Sequence, residues 1–491
     1  MNILKRPMLY AAIVCSVAAA ISLYTKTLAF LILTTTVLCL IFAVFCKKYK
    51  YIVVVLSLVL FSVGLSNEFI KINDLNKKDK QKVTGSFLVI DEPVDHGLFN
   101  SVTIKELDCD SVSSNVKILL FDYEKTKINI GDIINATLKL STVKAHNKYR
   151  ISNYSDGIYV TANATQLEKT DEYNLFYKTM GNIRSYVKNM VSSRFKGDTA
   201  GLLLAITTGD KTLLSDEFSA NIKTTGISHV VVVSGMHLAI IMMAIFWCLD
   251  RLFYNKYIRC VIAILSVILI CSVCGFTMSI IRAGVMFIVA GFAPIFNRTN
   301  DSLNSLLTAV TIVLICSPFA ILNISFQLSV LSTISIIWIV PFYSGLIKEH
   351  FKIKSKILNF LIDTFLCSIF AIIFTLPVTI KVFGYISIVS PITNMVIFYP
   401  VMLALIFNIV SLVISAIPVI NVISCATFFI AGICSRFMVL AVNYIAQLPV
   451  TVAVLPQSAF WFSIILIALI IGYMYFYDYR KKRSDLNANS I

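Results

Sequence analysis

The stretch from Gly209 to His237, GDKTLLSDEFSANIKTTGISHVVVVSGMH, gathers the side chains best suited to chemistry in this 491-residue chain. Two of the five histidines, His229 and His237, bracket Ser234-Gly235, and Asp210 and Asp216-Glu217 precede them. Ser234 with His237 three residues on has the spacing of a nucleophile and its base, as a hydrolase needs. However, VSGMH is not the G-x-S-x-G elbow, and neighbours at i,i+3 meet on any helix. A shared metal is excluded by distance. Eight helical residues span about 12 Å, whereas ligands sit about 2 Å from a metal. No HExxH or HxHxDH pattern accompanies them. Structural and permeation roles stand beside the hydrolase, with Ser234-Gly235 permitting close helix approach or a helix break.

Other polar groups interrupt apolar runs. Arg282 lies in GFTMSIIRAGVMFIVAGF. An arginine at bilayer depth costs about 2.5–3.5 kcal/mol on insertion scales, so it either faces an aqueous cavity or snorkels to a surface. Ser325-Phe326-Gln327-Leu328-Ser329, with Ser332 and Ser335, makes a hydroxyl- and amide-rich helix face, suited to a path or to ordinary interhelical bonding. Thr375-Leu376-Pro377, Phe383-Gly384 and Asn394 form a last cluster. There Pro and Gly are expected to unwind helix ends around a cavity.

These groups are carried by a membrane protein. Hydrophobic residues make up 58% of the chain and charged residues 14%, against about 25% charged in soluble domains. The mean hydropathy is +0.83. Residues 67–198 are close to neutral, at +2, so most of the net +16 lies elsewhere, much of it in short loops as membrane topology requires. Of twelve cysteines only Cys109 falls in that polar segment, and no CxxC is present, so no disulfide framework is expected. No metal or cofactor is expected either.

Apolar runs at Met8–Leu23, Leu28–Cys46 and Tyr51–Ser66 read as three membrane helices, the first having the alternative of a signal peptide. Lys47, Lys48 and Lys50 place the second loop in the cytoplasm, which puts residue 67 outside. Residues 82–167 read as strands at Lys82–Ile90, Ser101–Lys105, Val116–Phe121, Ile133–Leu140 and Gly157–Ala164. Five short strands suit an OB-fold barrel or another small β domain. The aromatics Phe87, Phe99, Phe121, Tyr123 and Tyr159 serve either as core or as a face that stacks bases. Glu172–Phe195 has the pattern of an amphipathic connector lying on the outer membrane surface.

About nine spans follow, near 230–249, 260–276, 277–296, 303–323, 327–346, 357–380, 401–417, 420–446 and 460–477, with 385–400 read as re-entrant. Basic groups at Arg251/Lys256/Arg259, Arg298, Lys348–Lys356 and Arg480–Arg483 all fall inside by alternation. The expected fold is a polytopic α-helical membrane protein with an inserted small all-β, OB-fold-like extracytoplasmic domain. Its parts are three helices (1–66), the β domain (67–170), the connector (171–198), the polytopic region (199–477) and a basic, disordered cytoplasmic tail (478–491).

The run GDKTLLSDEF…GISHVVVVSGMHLAII, followed in order by GFTMSIIRAGVM, DSLNSLL, SFQLS, TLPVTIKVFG and Leu448-Pro449, resembles the signature of the ComEC family of competence proteins. The matching positions are Asp210, His229, Ser234, Gly235, His237, Phe276, Ser279, Arg282, Phe326, Gln327, Ser329 and Pro377, and Asn304, Thr375 and Asn394 are further channel candidates. The resemblance implies an OB fold and a channel that imports one strand of transforming DNA across the cytoplasmic membrane, with no catalytic residues in this chain. Implied partners are single-stranded DNA, an extracellular DNA receptor and a cytoplasmic helicase-like motor, with further copies of the chain as another candidate. Many members continue into a metallo-β-lactamase-like domain with an HxHxDH motif. That motif is absent here, so any degradation of the other strand is expected to come from elsewhere: either a separate nuclease acts, or this chain is a truncated product. The alternatives are an intramembrane hydrolase using Ser234 with His237, and a transporter of another anionic substrate.

Overall fold

A computed structural model describes residues 7–22, 49–109, 116–142, 150–292, 301–417, 421–449 and 451–488. The expected span Leu28–Cys46 lies outside them. Among the described residues, eight helices are long and apolar enough to cross a membrane: Val54–Lys77, Gly235–Leu252, Lys256–Val273, Ile324–His350, Lys356–Val382, Ser390–Ser415, Val422–Ala446 and Ala459–Arg480. Apolar side chains such as Leu265, Val413 and Leu469 stand exposed on these helices, as lipid-facing residues do, since hydrocarbon is as good a solvent for them as a core. The chain is a polytopic helical membrane protein with a small β domain.

Residues 1–189 with 244–326 make one compact unit, and residues 190–243 with 327–491 a second. The first contains helix Pro7–Ser22, the long helix Tyr49–Lys77 and the β domain. That domain comprises β1 (Lys82–Val89), β2 (Val94–Asp95), β3 (Asn100–Cys109), β4 (Lys117–Asp122), β5 (Asp132–Thr142) and β6 (Ile158–Tyr173). The sheet runs β1-β5-β6-β4-β3-β2, and a further β1–β3 pairing closes it on itself. Only β4–β6 is parallel. Alternation fills the interior: Phe87, Ile104, Ile118, Leu120, Ile134 and Leu138 are all almost completely buried, each contributing about 1.5–3 kcal/mol. Every strand read from the sequence is present. β6 runs nine residues beyond its expected end, because Asp132 to Ile134 of β5 go on pairing as far as Lys169 and Tyr173.

A hydrogen bond and an aromatic cluster tie this domain to helices of the same unit. Tyr159 Oη donates to Glu68 Oε2 at 2.7 Å, at the far end of the Tyr49–Lys77 helix. Phe319, in the 3-10 turn Pro318–Leu322, meets Phe69, Tyr154 and Tyr159 with ring centroids 6.0–6.2 Å apart. The amphipathic connector appears as Leu175–Ser192. The expected span 303–323 comes out short, as helix Ser302–Cys316; 277–296 is helical from Met278 to Phe292, the last described residue there. Helix Ser302–Cys316 is about 22 Å long, less than the roughly 30 Å of a bilayer core. It stops because Ser317-Pro318 turns the chain toward the β domain.

In the second unit, residues 385–400 are not a re-entrant loop. Tyr385–Ser387 is a strand, β7, antiparallel to β8 (Val452–Val454), and helix Ser390–Ser415 begins three residues later. Pro391 stands in its first turn, where a missing N–H costs nothing. The basic tail is not disordered at its start either, since the Ala459–Ala488 helix runs through Arg480–Arg483.

Candidate functional site

Within the second unit the histidine-bearing stretch is built on a buried short helix, Gly197–Thr207, whose residues Ala200 to Ile206 are all buried. Two hydroxyl contacts hold it. Ser435 Oγ donates to the Thr199 carbonyl at 3.0 Å, and Asn408 Nδ2 donates to Thr207 Oγ1 at 2.8 Å. After Gly209 (φ +87°), Asp210 Oδ1 accepts the Thr212 N–H at 2.8 Å, an Asx turn that starts the loop. Asp216 and Glu217 then occupy the first turn of helix Asp216–Thr224, capped by Ser215 Oγ, which accepts from Phe218 N at 3.1 Å. These carboxylates complement the helix dipole. Asn221 Nδ2 donates to Asn443 Oδ1 at 3.0 Å, fixing that helix to Asn421–Ala446.

Gly226 is forced by its surroundings. Its φ is +74°, and a Cβ there would come 2.7 Å from the Cβ atoms of both Ser387 and Ser390. Its carbonyl accepts from Ser390 Oγ at 3.4 Å, and the His229 ring hydrogen-bonds its backbone. His229 rides on the one-turn helix Ser228–Val231, and a break at Val232 to Ser234 separates it from helix Gly235–Leu252. The imidazoles of His229 and His237 are near enough to interact electrostatically.

Ser234 and His237 do meet, with Oγ and Nδ1 3.0 Å apart. The backbone decides what that contact means. Ser234 N–H also donates to His237 Nδ1, at 3.1 Å, and an N–H can only donate, so Nδ1 is the unprotonated nitrogen and the ring proton sits on Nε2. The same assignment makes the Ser234 hydroxyl the donor in the 3.0 Å contact, so Nδ1 accepts from both the Oγ–H and the backbone N–H. The third helical side chain thus reaches back to the N–H of the residue before the helix, one half of a capping box with histidine in place of the usual Glu. A lone pair shared with a backbone donor is a weaker base toward the hydroxyl than one facing it alone. His237 is completely buried, and its Nε2 has no hydrogen-bond partner.

Asn394, in the first turn of helix Ser390–Ser415, donates through Nδ2 to Ser368 Oγ at 2.6 Å and toward Ser390 Oγ at 3.4 Å. Thr375 and Pro377 lie in helix Lys356–Val382. Pro377 does not unwind it: Thr375 Oγ1 donates back to Ala371 O at 2.8 Å, and the helix continues to Val382 before closing at Gly384 (φ +74°). The hydroxyl face after Gln327 is likewise turned inward. Ser329 O accepts from Ser332 Oγ and Thr333 Oγ1 at 3.1 and 2.6 Å, and Ser335 Oγ donates to Ser332 O. A π-helical turn, Ser335–Ile339, follows ahead of Pro341.

In the first unit, Phe276 is half-exposed at φ +51°, a strained value for a non-glycine residue. With Gly275 (φ +78°) it ends helix Lys256–Val273 by a bond from Phe276 N to Cys271 O, the wrapping geometry of a Schellman cap. Ser279 is half-buried and Arg282 fully buried in helix Met278–Phe292, where Arg282 Nη1 lies 3.1 Å from Met286 Sδ. Asn304 marks a helix start, donating its N–H at 3.2 Å to the N-cap Asp301. Phe326 is buried, its N–H held by Asn323 Oδ1 at 3.1 Å.

Two residues escaped the reading of the sequence. Arg184, on the amphipathic connector, donates through Nε to the Val273 carbonyl at 2.7 Å and pairs with Asp91 of the β1–β2 turn at 3.5 Å. It thereby joins the β domain to the helix end that leads into Phe276. Asn323 does the same at the SFQLS segment, donating through Nδ2 to Asp156 Oδ1 at 2.9 Å and Ser155 Oγ at 3.3 Å. Its signal was available, as an Asn just ahead of an apolar run is an N-cap pattern. Arg184 had none, since one cation on a polar face looks like any other. Among the described residues no three His, Cys, Asp or Glu side chains come together to hold a metal ion.

The candidate positions thus fall into local groups. Asp210, His229, Ser234, Gly235, His237 and Asn394 belong to the second unit, and Phe276, Ser279, Arg282, Asn304 and Phe326 to the first. No solved structure matches the chain. The ComE operon protein 3 of Bacillus subtilis (strain 168) is 22% identical over 197 residues, which cover 40% of this chain and 25% of that protein. The model of the competence protein family matches residues 206–480, more than half of the sequence and the whole of the histidine-bearing stretch from Gly209 onward, and by that match the chain belongs to this family.

Proposed function

We propose that this chain forms the conduit by which single-stranded DNA crosses the cytoplasmic membrane during natural competence. The observation that carries the reading is the family match over 206–480, which takes in the histidine-bearing stretch and seven of the eight long apolar helices. The backbone N–H that shares His237 Nδ1 with the Ser234 hydroxyl counts against a hydrolytic dyad. The fifteen candidate positions are proposed as parts of that conduit, and the division at 66, 170, 198 and 477 as its domain plan.

The β domain is proposed as an OB fold on the outer face. Supporting this are the closed order of its long strands and the single parallel pair β4–β6. The outer position is supported by the helix end that Arg184 reaches, that of Lys256–Val273 opposite Lys256 and Arg259. Basic ends favour the cytoplasm, which speaks for the other side for this domain. Moving each strand charge inward against an interior-negative potential costs about 2.3 kcal/mol per 100 mV. A cytoplasmic helicase-like motor is therefore a required partner, with an extracellular DNA receptor, a separate nuclease and further copies of the chain as others.

The test is DNase-protected uptake of labelled DNA in cells lacking the gene, complemented with wild type, Ser234→Ala or Arg282→Glu at matched membrane levels. Wild type and Ser234→Ala restore uptake to within a few-fold of each other, while Arg282→Glu, placing a negative charge against phosphate, loses at least tenfold. Normal uptake in the deletion strain removes DNA import. Loss with Ser234→Ala but not Arg282→Glu favours the hydrolase.

A further inference from the structure

Three buried polar atoms without a hydrogen-bond partner, His237 Nε2, Ser387 Oγ and Asn394 Oδ1, belong to one connected set of groups in the second unit. The hydrogen-bonded links run from Asn394 Nδ2 to Ser368 Oγ and toward Ser390 Oγ, and from Ser390 Oγ to the Gly226 carbonyl; the His229 ring lies beside the Gly226 backbone. Ser387 presses on Gly226, and His237 lies within electrostatic reach of His229. Depth makes the set unusual. Ser368 stands about 18 Å along the Lys356–Val382 helix, itself about 40 Å long, so the row reaches the middle of a membrane-crossing element.

Two non-helical segments, Thr225–Ile227 and Phe383–Val389, join this row. Irregular backbone at membrane depth persists only where protein buries it or where it lines a water-filled cavity. Burial alone leaves the three open atoms unsatisfied, which hydrocarbon and dry packing both penalise. The side chains concerned are also uncharged, because the Ser234 N–H holds His237 in its neutral tautomer with Nε2–H as a free donor. Neutral donors and acceptors can replace the hydration of a passing polyanion without trapping it, as weak and multiple sites do in channels.

We infer that the row Ser368, Asn394, Ser390, Ser387, Gly226 and His237 lines an aqueous path within this unit, whose open donors and acceptors hold water and then the phosphate and base edges of a single strand. The second half of this inference rests on the proposed DNA-conduit function, and the first does not.

The experiment uses the full-length protein in native membranes, with Ser387→Cys and Asn394→Cys made separately. Modification by a membrane-impermeant anionic methanethiosulfonate is read at each site by peptide mass spectrometry, which keeps the native cysteines apart. The controls are Val413→Cys, 63% exposed on the same helix as Asn394, and the fully buried Ala404→Cys. Both path positions are expected to react at least tenfold faster than both controls, and a single-stranded oligonucleotide to slow them at least tenfold. Rates no faster than at Ala404→Cys overturn the path. Fast reaction with no protection, in a protein that still imports DNA after modification, keeps the path and removes DNA from it. Hydrogen exchange of the 383–396 peptide in the unsubstituted protein tests the path without mutation: exchange as slow as at residues 401–412 means a dry core.

Discussion

Gly226 shows how one hydrogen atom in place of a side chain holds a motif together. An L-residue at φ +74° costs about 1–2 kcal/mol in backbone strain, and the new Cβ also has to displace Ser387 and Ser390. Gly209, at φ +87°, has only Val233 Cγ2 nearby, at 3.5 Å. Gly226→Ala is therefore expected to destabilise the protein clearly more than Gly209→Ala, by at least about 1 kcal/mol from the clash alone. Thermal melts of the two detergent-purified variants make the comparison, and equal melting temperatures contradict the close approach. Residue types at this site were legible in the sequence: Ser234, His237 and the Asp216-Glu217 pair stood out at once. Their roles were not, because a dyad and a capping box share the i,i+3 spacing. That the Ser234 N–H shares Nδ1 with the hydroxyl is visible only in the structure.

Helix ends, more than helix bodies, separate what was legible from what was not. Bodies announce themselves by apolar length, and most long helices fall near their expected places. Ser302–Cys316 came out short because capping at Asp301 and Ser317 cuts the apolar run at its polar margins, and Phe276 likewise closes the helix ahead of Met278. Hydropathy averages over such margins. The start of helix Ser390–Ser415 was hidden for the same reason, its β7 partner β8 lying some sixty residues downstream. Arg184 belongs at this scale, as it satisfies a C-terminal carbonyl and a β-turn carboxylate together. Arg184→Gln is expected to cost about 1–3 kcal/mol, the worth of a charge-assisted bond in a mostly buried place. Asp91→Asn, breaking only the exposed 3.5 Å pair, costs under about 1 kcal/mol. Protease susceptibility of the Cys274–Thr277 turn measures both, and equal effects count against the capping role.

At the scale of the whole molecule, composition alone established a membrane protein, since 58% hydrophobic residues leave no soluble alternative, and strand patterning added the β insertion. The side of the membrane is a sharper matter, and the proposed topology gives it a direct test. In intact cells, an impermeant thiol reagent is expected to label Lys125→Cys in the β domain and not Tyr254→Cys, which stands fully exposed beside Arg251 and Lys256. Permeabilisation brings Tyr254→Cys up to the same level. The reverse pattern inverts the proposed topology. The closure of β1 on β3 has a consequence for how such a chain is made. All the strands of the barrel lie between residues 82 and 173, so it has its full complement before residue 235 leaves the ribosome, several seconds ahead at about 5–20 residues per second. Arg184 and Asp156 are by then in place, and the carbonyl of Val273 and the amide of Asn323 arrive later as the complementary halves. The barrel can thus serve the nascent protein as a jig, against which each newly inserted helix finds its depth.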